Sequence, residues 1–100
     1  MADDLKTLSD AKIRKYLDLT ARALEKATLL APEPSYLERI GKDFLNMARS
    51  YHADATHFAE SGDYVNAFAC VNYAHGWLDA GARLGVLDHH GDDQLFTLQR

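Results

Sequence analysis

Between Gly62 and Gly85 runs G-D-Y-V-N-A-F-A-C-V-N-Y-A-H-G-W-L-D-A-G-A-R-L-G, a stretch that holds the chain's only Trp and its only Cys. It reads as one helix, apolar or small around most of its circumference, with a thin polar strip of Asn72, Asp79 and Arg83. A helix apolar on several sides must be covered on several sides. Ala67, Val71, Ala74, Leu78 and Gly85 form one seam, and Ala69, Tyr73, Gly76 and Ala80 form a second, about 160° round the helix. Two neighbours in a three-helix bundle lie much closer together than that, so the first seam suffices for the rest of the chain. Each glycine inside a helix costs about 1 kcal/mol relative to alanine. Gly76 and Gly81 are therefore expected where another backbone approaches closely. The second seam needs the C-terminal tail or another subunit to cover it.

One hundred residues fit a single domain with a modest core. An apolar fraction of 47% is that of a globular chain and argues against disorder. Residues 1–50 carry nine Lys/Arg against eight Asp/Glu, and residues 51–100 carry two against seven. That balance offers no basic footprint for phosphate, so a nucleic-acid partner is not expected. A single cysteine cannot close an internal disulfide, which favours a reducing compartment. The opening M-A-D-D-L-K has no basic segment leading into an apolar run, and no stretch approaches membrane-spanning length. A soluble cytoplasmic chain with no membrane partner is the expectation.

The remaining elements follow from capping and period. Residues 1–9 are an acidic lead-in. Ser9-Asp10 offers an N-cap, and Ile13, Leu17, Thr20, Leu24 and Ala27, widened by Tyr16, Ala23 and Leu30, predict a first helix over about 10–30. A-P-E-P at 31–34 ends it, because each proline disfavours helix in the residue before it. Ser35 with Glu38 forms a capping box for a second helix over about 36–61, carrying Leu37, Gly41, Phe44, Ala48, Tyr51, Ala55 and Phe58. Gly62 suits a left-handed position after that helix and Asp63 caps the next, over about 64–84, with Gly85 as its terminator. So short a connection makes the second and third helices an antiparallel hairpin. The predicted fold is all-α, an antiparallel three-helix bundle over 10–87 with a short irregular C-terminal tail over 88–100. Leu95, Phe96 and Leu98 are the tail's candidates for docking.

The blocks D-A-x-x-F-x-x-x-G-D at Asp54–Asp63 and Y-A-x-G-W-L-D-A-G-x-R-L-G at Tyr73–Gly85 resemble the archaeal family known as domain of unknown function 357. The likeness extends back over the first two helices, across about 10–87. It implies a compact helical bundle and an archaeal origin. It supplies no catalytic residues to carry over.

Three constellations bear on chemistry. Asp88, His89, His90, Asp92 and Asp93 gather imidazole and carboxylate groups around Gly91, a donor set suited to zinc or another divalent transition metal; a site on Asp88, His89, His90 and Asp92 is one alternative function. Asp54–His57 and His75–Asp79 are one-turn pairs on facing helices, read as hydrogen-bonded ties between helices or as a bundle metal site. Arg83 and His89 stand in an R-x5-H spacing that resembles the signature of the HEPN helical ribonucleases. That resemblance implies a cation and a general acid–base meeting at a dimer cleft, although Leu84 occupies a position usually polar in that family. An Asp79–Arg83 ion pair explains Arg83 as simply. Cys70, mid-helix among apolar neighbours, reads as a small inert hydrophobe. No nucleophile elbow, phosphate loop or dinucleotide fingerprint is present, and no cofactor or small-molecule substrate is indicated. Trp77 falls between the two seams, where an amphipathic ring often anchors an interface. The leading expectation is a non-catalytic interaction module, a homodimer or a docking site for another protein, with Ala69, Tyr73, Gly76, Trp77 and Ala80 as its contact surface.

Overall fold

The computed structural model describes residues 5–30 and 32–96. It contains α1 (Asp10–Lys26), β1 (Thr28–Leu29), α2 (Tyr36–Glu60), α3 (Tyr64–Leu84) and β2 (Leu87–Asp88). The chain is an all-α helical bundle in which α2 and α3 form the principal hairpin and α1 packs across both. Leu98 lies outside the described residues.

Each helix begins where a short polar side chain can satisfy an orphan amide. Ser9 Oγ accepts the N–H of Lys12 at 3.1 Å, Ser35 Oγ that of Glu38 at 3.1 Å, and Asp63 Oδ1 that of Asn66 at 3.1 Å. The ends of α2 and α3 are one motif written twice. Gly62 (φ 85°) and Gly85 (φ 88°) turn left-handed. Beyond them the Asp63 N–H reaches back to the Phe58 carbonyl (2.9 Å) and the Val86 N–H to the Gly81 carbonyl (3.0 Å). This is the six-to-one bond of a Schellman motif, which releases the chain from the helix at a fixed angle.

The first helix is shorter than its apolar period suggests. It stops at Lys26 rather than near residue 30, because Ala27 already has extended dihedrals (φ −68°, ψ 130°). Thr28 and Leu29 instead pair antiparallel with Asp88 and Leu87, and the Leu30 N–H donates to the Val86 carbonyl at 3.1 Å. A β-branched residue just ahead of the proline segment favours extended backbone. Leu30 consequently ends 54% exposed. Beyond Asp88 the described part of the tail holds no helix or strand, and its Leu95 and Phe96 are buried and join Ala23, Ala27, Leu45, Ala48, Leu78, Val86 and Leu87 in one core.

The core uses small side chains where the helices cross. Ala23, Ala48, Ala55, Ala67 and Ala74 are all fully buried, so helix axes approach closely. The two glycines expected at backbone crossings behave otherwise. A Cβ on Gly81 would collide with the Leu87 side chain, not with backbone, and a Cβ on Gly76 would meet nothing within 4 Å. The backbone approach occurs at Gly41, where a Cβ would lie 3.0 Å from the Val86 carbonyl oxygen. The body is flat, 48 × 29 × 16 Å in Cα extent, with a radius of gyration of 14.6 Å; a globular chain of this length has about 13 Å. A flat bundle leaves helix faces without a covering layer.

Candidate protein-interaction face

The uncovered face lies on α3. Its first seam is filled at Ala67, Val71, Ala74 and Leu78, each at 1% exposure or less, while Gly85, expected in the same seam, is exposed where it ends the helix. The second is open. Ala69, Gly76 and Ala80 are exposed, Tyr73 is 57% exposed and Trp77 is half-buried. Two residues not singled out by the sequence extend this stripe to both ends of the helix: Val65 at 77% exposure and Leu84 at 58%. The signal for them was present, since Val65, Ala69 and Tyr73, and again Ala80 and Leu84, are spaced four apart. At 3.6 residues per turn, Val65, Ala69, Tyr73, Gly76, Ala80 and Leu84 fall within a sector of about 100°, and the stripe runs about 29 Å along the axis.

Tyr73, Gly76, Trp77 and Ala80 line a groove of about 350 Å³. Its floor is stiff. The Tyr73 ring stacks on Tyr51 of α2 with centroids 4.6 Å apart, and Trp77 meets Phe44 edge-to-face at 4.9 Å. Aromatic pairs at such distances hold their rings in place by about 0.5–1.5 kcal/mol beyond burial. The Trp77 indole Nε1 is enclosed and meets no acceptor among the described residues. No described residue of the tail lines this groove. The tail docks on the α1-facing side of α3, where His75 ties three segments together: its Nδ1 lies 3.0 Å from Thr20 Oγ1 of α1, and its Nε2 2.6 Å from the Leu95 carbonyl oxygen. With Nε2 donating to that carbonyl, Nδ1 accepts from the threonine hydroxyl. The tie between helices expected of His75 therefore runs to Thr20 and the tail. His52 plays a similar part from α2, its Nε2 3.0 Å from the Leu17 carbonyl.

Of the other candidates, only Asp88 and His90 are joined to each other among the described residues, with His90 Nδ1 3.7 Å from Asp88 Oδ2. Arg83 is exposed in the last turn of α3. His89 accepts the Gly91 N–H on Nδ1 at 2.9 Å and sets its ring beside Phe96. No hydrogen bond, ion pair or ring contact joins Arg83 to His89 among the described residues. In the tail, Asp88 accepts the His90 N–H at 2.8 Å, and His90 Nε2 lies 2.9 Å from Thr28 Oγ1. Asp92 accepts the Gln94 and Leu95 amides on Oδ1, each at 3.0 Å, and pairs with Lys26 at 3.5 Å on Oδ2. Those amides, Leu95 foremost, hold the Asp92 carboxyl below its ordinary value. Among the described residues no group of three or more His, Cys, Asp or Glu side chains converges to hold a metal. Asp54 and His57 are both exposed on α2. Burial pushes the Cys70 thiol up, with the Asp54 and Asp63 carboxylates adding to it, so at neutral pH it is a protonated, unreactive thiol.

The family model described as protein of unknown function (DUF357) matches residues 15–87. No curated protein and no solved structure matches the chain. The matched span takes in most of α1, β1, all of α2 and α3, and Leu87 of β2, and so includes the whole open stripe. Among the described residues no helix is long and apolar enough to cross a membrane.

Proposed function

The chain belongs to the DUF357 family, and from that premise we propose that it works as a non-catalytic interaction module whose contact surface is the open stripe of α3, engaged by self-association. The observation that carries this reading is the full-length apolar stripe, with Val65, Tyr73 and Leu84 each more than half exposed. Single exposed apolar residues are ordinary on any protein; a continuous row flanking an aromatic-floored groove marks a binding surface. The packing of Tyr73 on Tyr51 and of Trp77 on Phe44 also supports it, since side chains already seated lose less entropy on binding.

The test is the mass of the chain in solution across a concentration series, measured by light scattering behind size exclusion. The expected result is a mass that rises with concentration and returns to that of the monomer in Val65→Asp and Leu84→Asp variants. Circular dichroism should be unchanged in both, as should the melting temperature at concentrations where the parent is monomeric. A chain that stays monomeric throughout, or one whose assembly ignores both substitutions, would overturn the reading.

A further inference from the structure

We propose that the cleft between α1 and α3 binds a small organic cation, an alkyl amine with a hydrogen-bond donor at each end, laid along the polar strip of α3. The site is complete within one chain and does not depend on the self-association proposed above. The two helices run in the same direction, with the Tyr16 and Phe68 ring centroids 5.1 Å apart and Thr20 Oγ1 3.0 Å from His75 Nδ1. Between them lies a cleft of about 350 Å³, a volume within the range of small-molecule sites. Leu19 and Val71 give it apolar walls, and Gly76 lines it with backbone alone. Asn72, Gly76 and Asp79 share one face of α3, four and three residues apart. The two polar side chains are therefore rooted about 10 Å apart along the axis, with bare backbone between them. Tyr16 stands toward the Asn72 end, and Gln94 of the tail lines the cleft beside Leu95, whose carbonyl is bonded to His75.

The chemistry of the lining selects the ligand. Asp79 carries its formal charge, and among the described residues no Lys or Arg lines the cleft. The Tyr16 hydroxyl and the Asn72 and Gln94 carboxamides make no hydrogen bond to another described residue, so each can address a ligand. His75 and Thr20 are committed to each other and to Leu95, and they serve as fixed wall. A carboxylate accepts at about four sites, so the interaction Asp79 already makes does not exhaust it. A cleft with one negative charge, several acceptors and apolar walls favours an ammonium or guanidinium on a short alkyl chain, and disfavours phosphates and carboxylates. Gly76 points the same way. A glycine inside a helix is less stable than an alanine, and nothing in the chain requires this one, since an added Cβ would meet no atom within 4 Å. At the cleft it lets a ligand chain lie directly against backbone.

Titration of the isotope-labelled full chain with hexamethylenediamine, followed by amide chemical shifts at a concentration where the chain is monomeric, tests the site. Saturable shifts should centre on Asn72, His75, Asp79 and Gln94. The diol of the same length, which lacks the charge, should bind at least about tenfold more weakly, as should the diamine to Asp79→Asn. Gly76→Leu, which places a side chain where the ligand chain lies, should abolish binding. Circular dichroism confirms the fold of each variant; should Asp79→Asn unfold, the diol and Gly76→Leu decide. Asp93→Asn, outside the cleft, and Val65→Asp, on the open stripe, should leave the affinity within about twofold of the parent. Shifts that fail to saturate, or that spread equally over Asp54, Asp63 and Asp93, would mean loose counterion attraction only and would overturn the proposal. So would equal binding of diamine and diol, or binding indifferent to Asp79→Asn. Any of these failures leaves the interaction reading standing.

Discussion

The two long faces of α3 have nearly the same chemistry and opposite fates. One carries Ala67, Val71, Ala74 and Leu78, none above 1% exposure. The other carries Val65, Ala69, Tyr73, Gly76, Ala80 and Leu84, all exposed. Apolar periodicity states that a face will be covered, and is silent about which molecule covers it. What separates the two here is reach. Thr20 of α1, Phe44 of α2 and Leu95 of the tail contact α3 on its first face or its flanks, and no described segment extends over Gly76. The glycines mark the same division: Gly81 is filled from within by Leu87, and Gly76 is open.

The sharpest way to break that division is to truncate one leucine on each face. Leu78→Ala removes a fully buried side chain and should lower the unfolding free energy by about 2–5 kcal/mol. Leu84→Ala, on a residue 58% exposed, should change it by no more than about 0.5 kcal/mol when measured on the monomer. Chemical denaturation at low protein concentration reads both. Comparable losses would mean that the stripe is covered within the monomer. The glycines give the next largest contrast, and one of opposite sign. Gly76→Ala removes the helix penalty of glycine where there is room for a methyl group, and should raise monomer stability by about 1 kcal/mol. At Gly81 the same gain is set against a collision with Leu87, an overpacking cost of about 1–3 kcal/mol, so Gly81→Ala should be neutral to destabilising. If Gly76→Ala destabilises the monomer, an unseen element lies over it.

These glycines also show how far the sequence reaches. The boundaries of α3 were legible to the residue, because Asp63, Gly62 and Gly85 do local work that needs no tertiary knowledge: an amide to cap, a left-handed turn to make. The second seam was legible for the same reason, as a pattern on one helix. The end of α1 was not. Its apolar period continues through Leu30, but the pairing of Thr28 and Leu29 with Asp88 and Leu87 is contributed by residues nearly sixty positions away. The close backbone approach at Gly41 was missed for that reason too, since its partner is the carbonyl of Val86. His75 and Asp92 read as candidate ligands because their residue types suit metals; their partners in the fold, Leu95 foremost, belong to a tail whose course no local pattern describes.

The tail gives a smaller contrast, since it completes the covered side of α3 only locally. Asp92 accepts the Leu95 and Gln94 amides, and its carboxyl is held below the ordinary value first by the Leu95 bond. Its contribution is therefore complete above the usual carboxylate range, about pH 4, and is lost as the pH falls through the lowered value, where the folded state must take up a proton it resists. Hydrogen exchange at the Leu95 and Phe96 amides should accelerate, relative to the α2 and α3 amides, as the pH is taken below about 4. Asp92→Ala should produce the same acceleration at neutral pH. Protection at Leu95 that is indifferent to both would show that His75 and the buried Phe96 hold the tail unaided.

The smallest expected effect is that of metal. The groups that look like ligands are already employed in closing the tail: Asp92 on two amides and Lys26, His90 on Thr28, and His89 on Gly91. A bound ion would have to break these bonds before gaining its own. A ligand that binds only the folded state stabilises it in proportion to the logarithm of its concentration over its dissociation constant. Zinc added at a several-fold excess, or chelator added to the purified chain, should therefore leave the melting temperature where it is. A rise with zinc that disappears in a His89→Ala/His90→Ala variant would mean that the tail exchanges its contacts with α1 for a metal. The covered side of α3 would then be conditional as well, and the difference between its two faces would be one of degree.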